Sequence, residues 1–296
     1  MKPMFERALV ALDLSPMDEK LLRATAVMAP AMGIKKVYLL HVAPDFQIPE
    51  NADWAFREKL APREPMDEQL RRQVSARAAE YLGHLEGVEW QVEIIEGKPF
   101  QTLLHWLEVK RIDLLIAGRK RISEGSGITA RRLARHSACH VLFVPYSEGQ
   151  DLRRILAPID FSPNAARSMK SAVALAATQG GDPVRFLYVI DLPPSDYYLR
   201  NFDTEAFRQV LRQSARATCT EFMGENGLDE RQADVAFLEN TYSNVALHIQ
   251  EFAEHNDIGL IVMGAQGHAA LERLLYGSVT EKLADSPAQQ VILVIR

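Results

Sequence analysis

Two stretches of this chain can be laid over one another without a gap, Ala8-Leu9-Val10-Ala11-Leu12-Asp13-Leu14-Ser15-Pro16 and Ile155-Leu156-Ala157-Pro158-Ile159-Asp160-Phe161-Ser162-Pro163, 147 residues apart. The same separation pairs residues 37–42 with 184–189, and close to it 112–118 matches 258–264 and 141–144 matches 291–294. Four short apolar, β-branched runs therefore recur in order, which marks a duplicated unit. With 296 residues in all, each copy is of ordinary domain size and long enough to bury a core without metal or disulfide support.

Helical patterns lie between the runs, at 18–32, 67–85 and 100–110 in the first copy and at 165–178, 204–223 and 245–255 in the second. The alternating segments 89–95 and 232–238 add one more strand per copy. Strands alternating with helices imply right-handed crossovers and a parallel sheet. The nearly all-apolar runs at 112–118 and 258–264 fit strands covered by helices on both faces. The expected fold is α/β: two tandem doubly wound, Rossmann-like domains, each a five-stranded parallel sheet of order 3-2-1-4-5. They occupy residues 1–147 and 152–296, joined by the short polar stretch at 146–151.

Composition narrows the partners. With 47% hydrophobic and 25% charged residues there is no room for a long disordered tract. A formal net charge of -5 and a pI near 5.9 supply no field to recruit phosphate backbones, so nucleic acid is not expected as a partner. Cys139 and Cys219, one per copy, are too few for a disulfide framework and fit a reducing compartment. No run approaches bilayer-spanning length and no signal-peptide pattern follows residues 1–7, so a cytoplasmic location without a membrane partner is expected.

The second copy carries the chemistry. Its strand ending at Met263 runs into Gly264-Ala265-Gln266-Gly267, and nine residues later come Gly277-Ser278-Val279-Thr280 and a helical stretch, a G-x2-G-x9-G-S spacing. A phosphate needs backbone N–H groups with no Cβ in the way, and a helix start adds the positive end of its dipole. Ser278 is placed to donate its hydroxyl, to N-cap the helix, or both. On spacing alone an ordinary glycine turn is equally open. Position favours a ligand, because open parallel sheets bind beyond the strand carboxyl ends where the order reverses. Asp160 ends the first strand, Gly264 the fourth and Val189 the second. A carboxylate there accepts hydrogen bonds from a ribose or base; its alternative use is to hold a turn or a helix cap.

The strand-end Asp160 followed by Ser162-Pro163, the Tyr188-Val189 strand end and the Gly264, Gly267, Gly277-Ser278 spacing resemble the universal stress protein family in its tandem form. The resemblance covers both copies and implies a stress-response regulatory protein. In ATP-binding members, positions matching Pro158, Asp160 and Val189 border the adenosine, and those matching Met263, Gly264, Gly267, Gly277, Ser278 and Val279 hold ribose and phosphates. It therefore implies ATP in the second domain, with Mg²⁺ on the phosphates. Single-domain relatives pair through their last strands, which implies an intramolecular pseudo-dimer here through 141–144 and 291–294. A further homodimer of chains and the identity of a protein partner stay open.

The first copy departs from the pattern. Asp13 and Val42 remain and Ala11 replaces the proline, but Gly118 is followed by Arg119-Lys120-Arg121, with no glycine to match Gly267. Its shorter loop reaches Gly125-Ser126-Gly127-Ile128 and presents side chains where the second copy presents bare amides. The first domain is read as a structural or partner-binding half, its basic turn at 119–121 either holding an anion or solvated.

No catalytic residue is assigned. The lysine of a Walker loop and the S-G-G-x-D-S loop of ATP pyrophosphatases are both absent. His268 and Arg273 fall within the phosphate loop, yet no positioned base accompanies them, so at most slow ATP hydrolysis is expected. The other readings are a nucleotide-dependent transferase and a scaffold holding a different small ligand. His136, Cys139 and His140 have metal-like spacing, but a cysteine entering a last strand is ordinarily core, and no metal is assigned. Trp54 and Tyr197-Tyr198 lie in long loops as lids, partner surfaces or simple loop packing.

Overall fold

The computed structural model describes residues 4–43, 66–119, 127–147, 151–191, 204–228, 233–267, 276–286 and 289–296. The chain divides into two compact units, Met1–Cys139 and His140–Arg296.

Unit 1 contains β1 (Arg7–Leu12), α1 (Met17–Met32), β2 (Lys36–Ala43), α2 (Met66–Leu82), β3 (Glu89–Glu96), α3 (Pro99–Val109), β4 (Leu114–Arg119) and α4 (Gly127–His136). Its strands are parallel and lie in the order β3-β2-β1-β4. Consecutive residues of β1 (Ala8, Leu9, Val10) and of β4 (Leu114, Leu115, Ile116) are all fully buried, so both faces of these strands are covered. That is the packing the unbroken apolar runs call for.

Unit 2 contains β5 (His140–Pro145), β6 (Ile155–Ile159), α5 (Pro163–Gln179), β7 (Val184–Ile190), α6 (Thr204–Glu225), β8 (Ala233–Glu239), α7 (Val245–His255), β9 (Leu260–Gly264), α8 (Ser278–Asp285) and β10 (Val291–Ile295). The order is β5-β10-β9-β6-β7-β8, so the five strands after β5 follow 3-2-1-4-5 read from the other edge. They are parallel. β5 belongs by sequence to the first copy but clusters with unit 2, where it runs antiparallel to β10 with Phe143 opposite Ile292, Leu142 opposite Leu293 and Val141 opposite Val294. The pairing expected between 141–144 and 291–294 is thus present, as a buried antiparallel ladder.

The repeat extends to the backbone. Leu14 and Phe161, equivalent positions just past β1 and β6, both have φ of 58°, a left-handed conformation that costs a non-glycine residue of the order of 1 kcal/mol. Each turn is held in the same way: the Ser15 N–H donates to Asp13 Oδ1 at 3.2 Å and the Ser162 N–H to Asp160 Oδ1 at 3.0 Å. α1 and α5 also end alike, on the left-handed glycines Gly33 and Gly180.

Two local expectations change. The helical pattern at 67–85 stops at Leu82, because Gly83 and the left-handed Gly87 break the helix although Leu85 keeps the apolar period. Ser278 is not a cap: Gly277 is the extended N-cap residue and Ser278 is the first residue inside α8.

Candidate functional site in the second unit

The carboxyl ends of β6 and β9 lie side by side, as the parallel pairing of Ile155 with Leu260 and Leu156 with Ile261 requires. Beyond them, Asp160 and the turn at 264–267 approach closely enough that a Cβ at Gly267 would overlap Asp160 Oδ2. Of the two uses considered for Asp160, the turn is present, held through Oδ1, while Oδ2 lies against the glycine limb. Ser162 in turn caps α5, its Oγ accepting from the Ala165 N–H at 3.1 Å.

The limb itself is fixed by side chains outside the glycine pattern. Asn164 Nδ2 donates to the Gln266 carbonyl at 2.9 Å, and Thr280 Oγ1 donates to the Gly264 carbonyl at 3.0 Å. Gly264 has no room for a side chain, since a Cβ would sit 2.8 Å from Asn164 Cβ and 3.1 Å from its backbone carbon. The Ala265 N–H donates to the Ile295 carbonyl at 2.7 Å, which ties the limb to the end of β10.

Gly277 is different. Its φ of -66° is open to any residue, and a Cβ there would make only ordinary contacts, 3.4 Å from Gly267 N and 3.5 Å from Gln266 Cα. Among the described residues, packing does not require glycine at this position. Its N–H is committed to the Ala265 carbonyl at 2.8 Å, so it is not one of the bare amides that the spacing suggests. Those at the start of α8 are: the first intrahelical bond runs from the Glu281 N–H to the Gly277 carbonyl, and among the described residues no side chain caps the end. Ser278 and Val279 thus sit in a first turn whose N–H groups lack helical acceptors.

The remaining expected residues take these places. Pro158 lies in β6 opposite Leu187, and the next pair in that register, Ile159 with Tyr188, brings Val189 to the same strand ends as Asp160. Val189 and Met263 are buried. The Tyr188 ring lies 4.6 Å from that of Phe161. Burial, and then the Asp191 and Asp160 carboxylates, hold its phenol above the usual range, so it stays neutral at physiological pH. His268 and Arg273 lie outside the described residues, as do Trp54, Tyr197 and Tyr198.

Sequence reasoning missed Asn164, Thr280 and the part played by Ser162. Only Ser162 carried a signal, as a serine immediately before a helix-opening proline.

The counterpart in unit 1 is built otherwise. Arg119 closes β4 and is only 9% exposed, so it is not part of a solvated basic turn. Burial pushes its guanidinium down to about 10, which leaves it charged at neutral pH. Lys120 and Arg121 lie outside the described residues. The metal-like trio is otherwise engaged: His136 Nδ1 bonds the Arg132 carbonyl at 2.8 Å, buried Cys139 donates to Ser137 Oγ at 3.4 Å, and His140 Nδ1 accepts the Arg296 N–H at 3.0 Å. Among the described residues no three His, Cys, Asp or Glu are grouped to hold a metal ion, and no helix is long and apolar enough to cross a membrane.

Comparison with known proteins agrees with the repeat. The model of the universal stress protein family matches twice, over residues 4–145 and 151–294. A universal stress protein of Methanocaldococcus jannaschii is 29% identical over 150 residues, 49% of this chain and 84% of that protein. The crystal structure of a universal stress protein from Archaeoglobus fulgidus superposes over 98% of both chains with a TM-score of 0.65 and 18% identity. A protein of unknown function from Pseudomonas aeruginosa does so over 98% of this chain and 92% of its own, with a TM-score of 0.61 and 16% identity. With the family matched once in each copy across nearly the whole length, this chain belongs to the universal stress protein family and is a tandem, two-domain member of it.

Proposed function

We propose that the second unit binds ATP and that its occupancy regulates which surface the protein shows to a partner in a stress response. The observation that carries this reading is Gly277. Among the described residues nothing requires a glycine there, yet one stands where the 264–267 limb meets the start of α8. A glycine without a conformational or packing need is explained by an outside group that must come close. A helix start, with about half a positive charge and unpaired N–H groups, suits a phosphate. Asp160, on the same side of the strand ends as Val189, accepts from the ribose hydroxyls. Pro158 and Val189 border the adenosine beside Asp160, while Met263, Gly264, Gly267, Gly277, Ser278 and Val279 hold the ribose and phosphates. Mg²⁺ would enter as part of the ATP complex, on the phosphates.

The reading is of a binding module. Among the described residues no base or lysine is placed to activate a nucleophile, so turnover is expected to be slow at most. The experiment is isothermal titration of the whole chain with ATP, beside identification by mass spectrometry of any ligand released from the purified protein. One ATP per chain is expected. Gly277→Val should weaken binding at least a hundredfold without unfolding the protein, whereas Gly127→Val should leave it unchanged. Equal losses from the two variants would end the asymmetric assignment.

A further inference from the structure

We propose that unit 1 carries a ligand site of another kind, a part-open cavity for a small, uncharged, largely apolar molecule bearing one hydroxyl or N–H group. A cavity of about 200 Å³ lies at the carboxyl ends of β1, β2 and β4, beneath α1, α3 and α4. That is below the roughly 300–1,000 Å³ typical of drug-sized ligands and too small for a nucleoside triphosphate. Its wall is apolar apart from Asp13, His41 and Thr129.

The wall differs from unit 2 at three polar positions, two of which fix the glycine limb there. Counted along the repeat, Met17 stands where unit 2 has Asn164, and Leu21 where it has Ser168. Counting back from the matched last strands, Ala130 stands where unit 2 has Thr280. In unit 2 Asn164 and Thr280 hold the carbonyls of the glycine limb, and Ser168 bonds within α5. The replacements in unit 1 have no such groups. Met17 instead covers the strand exit, so tightly that a Cβ at Gly118 would lie 2.6 Å from Met17 Cγ. A lining of this composition favours apolar contents over water.

The polar end fixes the ligand's handle. His41 Nδ1 lies 3.1 Å from the Leu12 carbonyl, which can only accept, so the ring hydrogen is on Nδ1 and Nε2 is the acceptor. The Asp13 carboxylate is also an acceptor. The complementary group is thus a donor, a hydroxyl or N–H.

Indole, apolar with a single N–H, is the probe. It is titrated into the whole chain, ¹³C-labelled at its methyl groups, and followed by NMR. Saturable shifts and intermolecular NOEs to the Met17 ε-methyl and the Leu103 and Leu133 methyls are expected. ATP should shift the Met263 methyl and leave Met17 still. Ala130→Leu and Leu103→Phe fill the cavity and should weaken indole at least tenfold while the ATP response at Met263 persists. The proposal is overturned if millimolar indole gives no contact with Met17, if neither filling variant weakens it, or if ATP competes with it. Because the contacts are read directly in the wild-type chain, the outcome does not depend on either variant folding. Loss of the ATP response at Met263 with the indole contacts intact would sink the nucleotide reading of unit 2 and leave this one standing.

Discussion

The two glycines of the limb are glycine for different reasons, and substitution separates them. At Gly267 the obstacle is the tip of the Asp160 side chain, which can move. Gly267→Ala should therefore keep the fold, with a melting temperature close to the parent, while displacing the carboxylate and lowering ATP affinity by about tenfold, a loss of about 1.4 kcal/mol. Calorimetry and a thermal melt on the same preparation check both halves. Asn164→Met, which imports the unit 1 residue, removes the donor that fixes the Gln266 carbonyl and should also weaken ATP. Its mirror, Met17→Asn, should not affect ATP at all, and finding otherwise by the same titration would assign the site to the wrong unit. The glycine spacing was legible because glycines are rare and their positions carry meaning. Asn164 and Thr280 were not, since an asparagine or threonine early in a helix looks the same whether or not a loop carbonyl has come within 3 Å of it.

Among elements, β9 depends on a close approach that no local pattern reveals. A Cβ at Gly259, one residue before the strand, would collide with the backbone carbonyl group of Asp151, which cannot turn aside as a side chain can. Gly259→Ala should destabilise unit 2 by about 1–3 kcal/mol, the usual cost of overpacking. Urea denaturation followed through the unit 2 transition measures it. The helices and strands themselves were largely readable, since 3.6-residue and unbroken apolar patterns survive into the fold as α1, α5, β4 and β9. Their ends were less so. Leu85 prolongs an apolar period past the glycine that stops α2, and Ser278 has the composition of a cap while Gly277 has its backbone conformation.

Over the whole molecule, a ligand confined to one unit should stabilise that unit alone. At a hundred times its dissociation constant, ATP should add about 2.7 kcal/mol to the unfolding of unit 2. Differential scanning calorimetry should then show one transition rising and the other unmoved; a joint rise in the Gly277→Val variant would contradict the assignment. By itself the sequence determined the duplication, the order of strands and helices and the loss of the glycine loop from the first copy, because each is written as a periodicity or a spacing along the chain. Tertiary structure alone decided that Asp160 meets Gly267 and that Met17 lines a cavity where Asn164 holds a loop. These are contacts between residues distant in sequence, and they are set by how sheets and helices pack once the chain has folded.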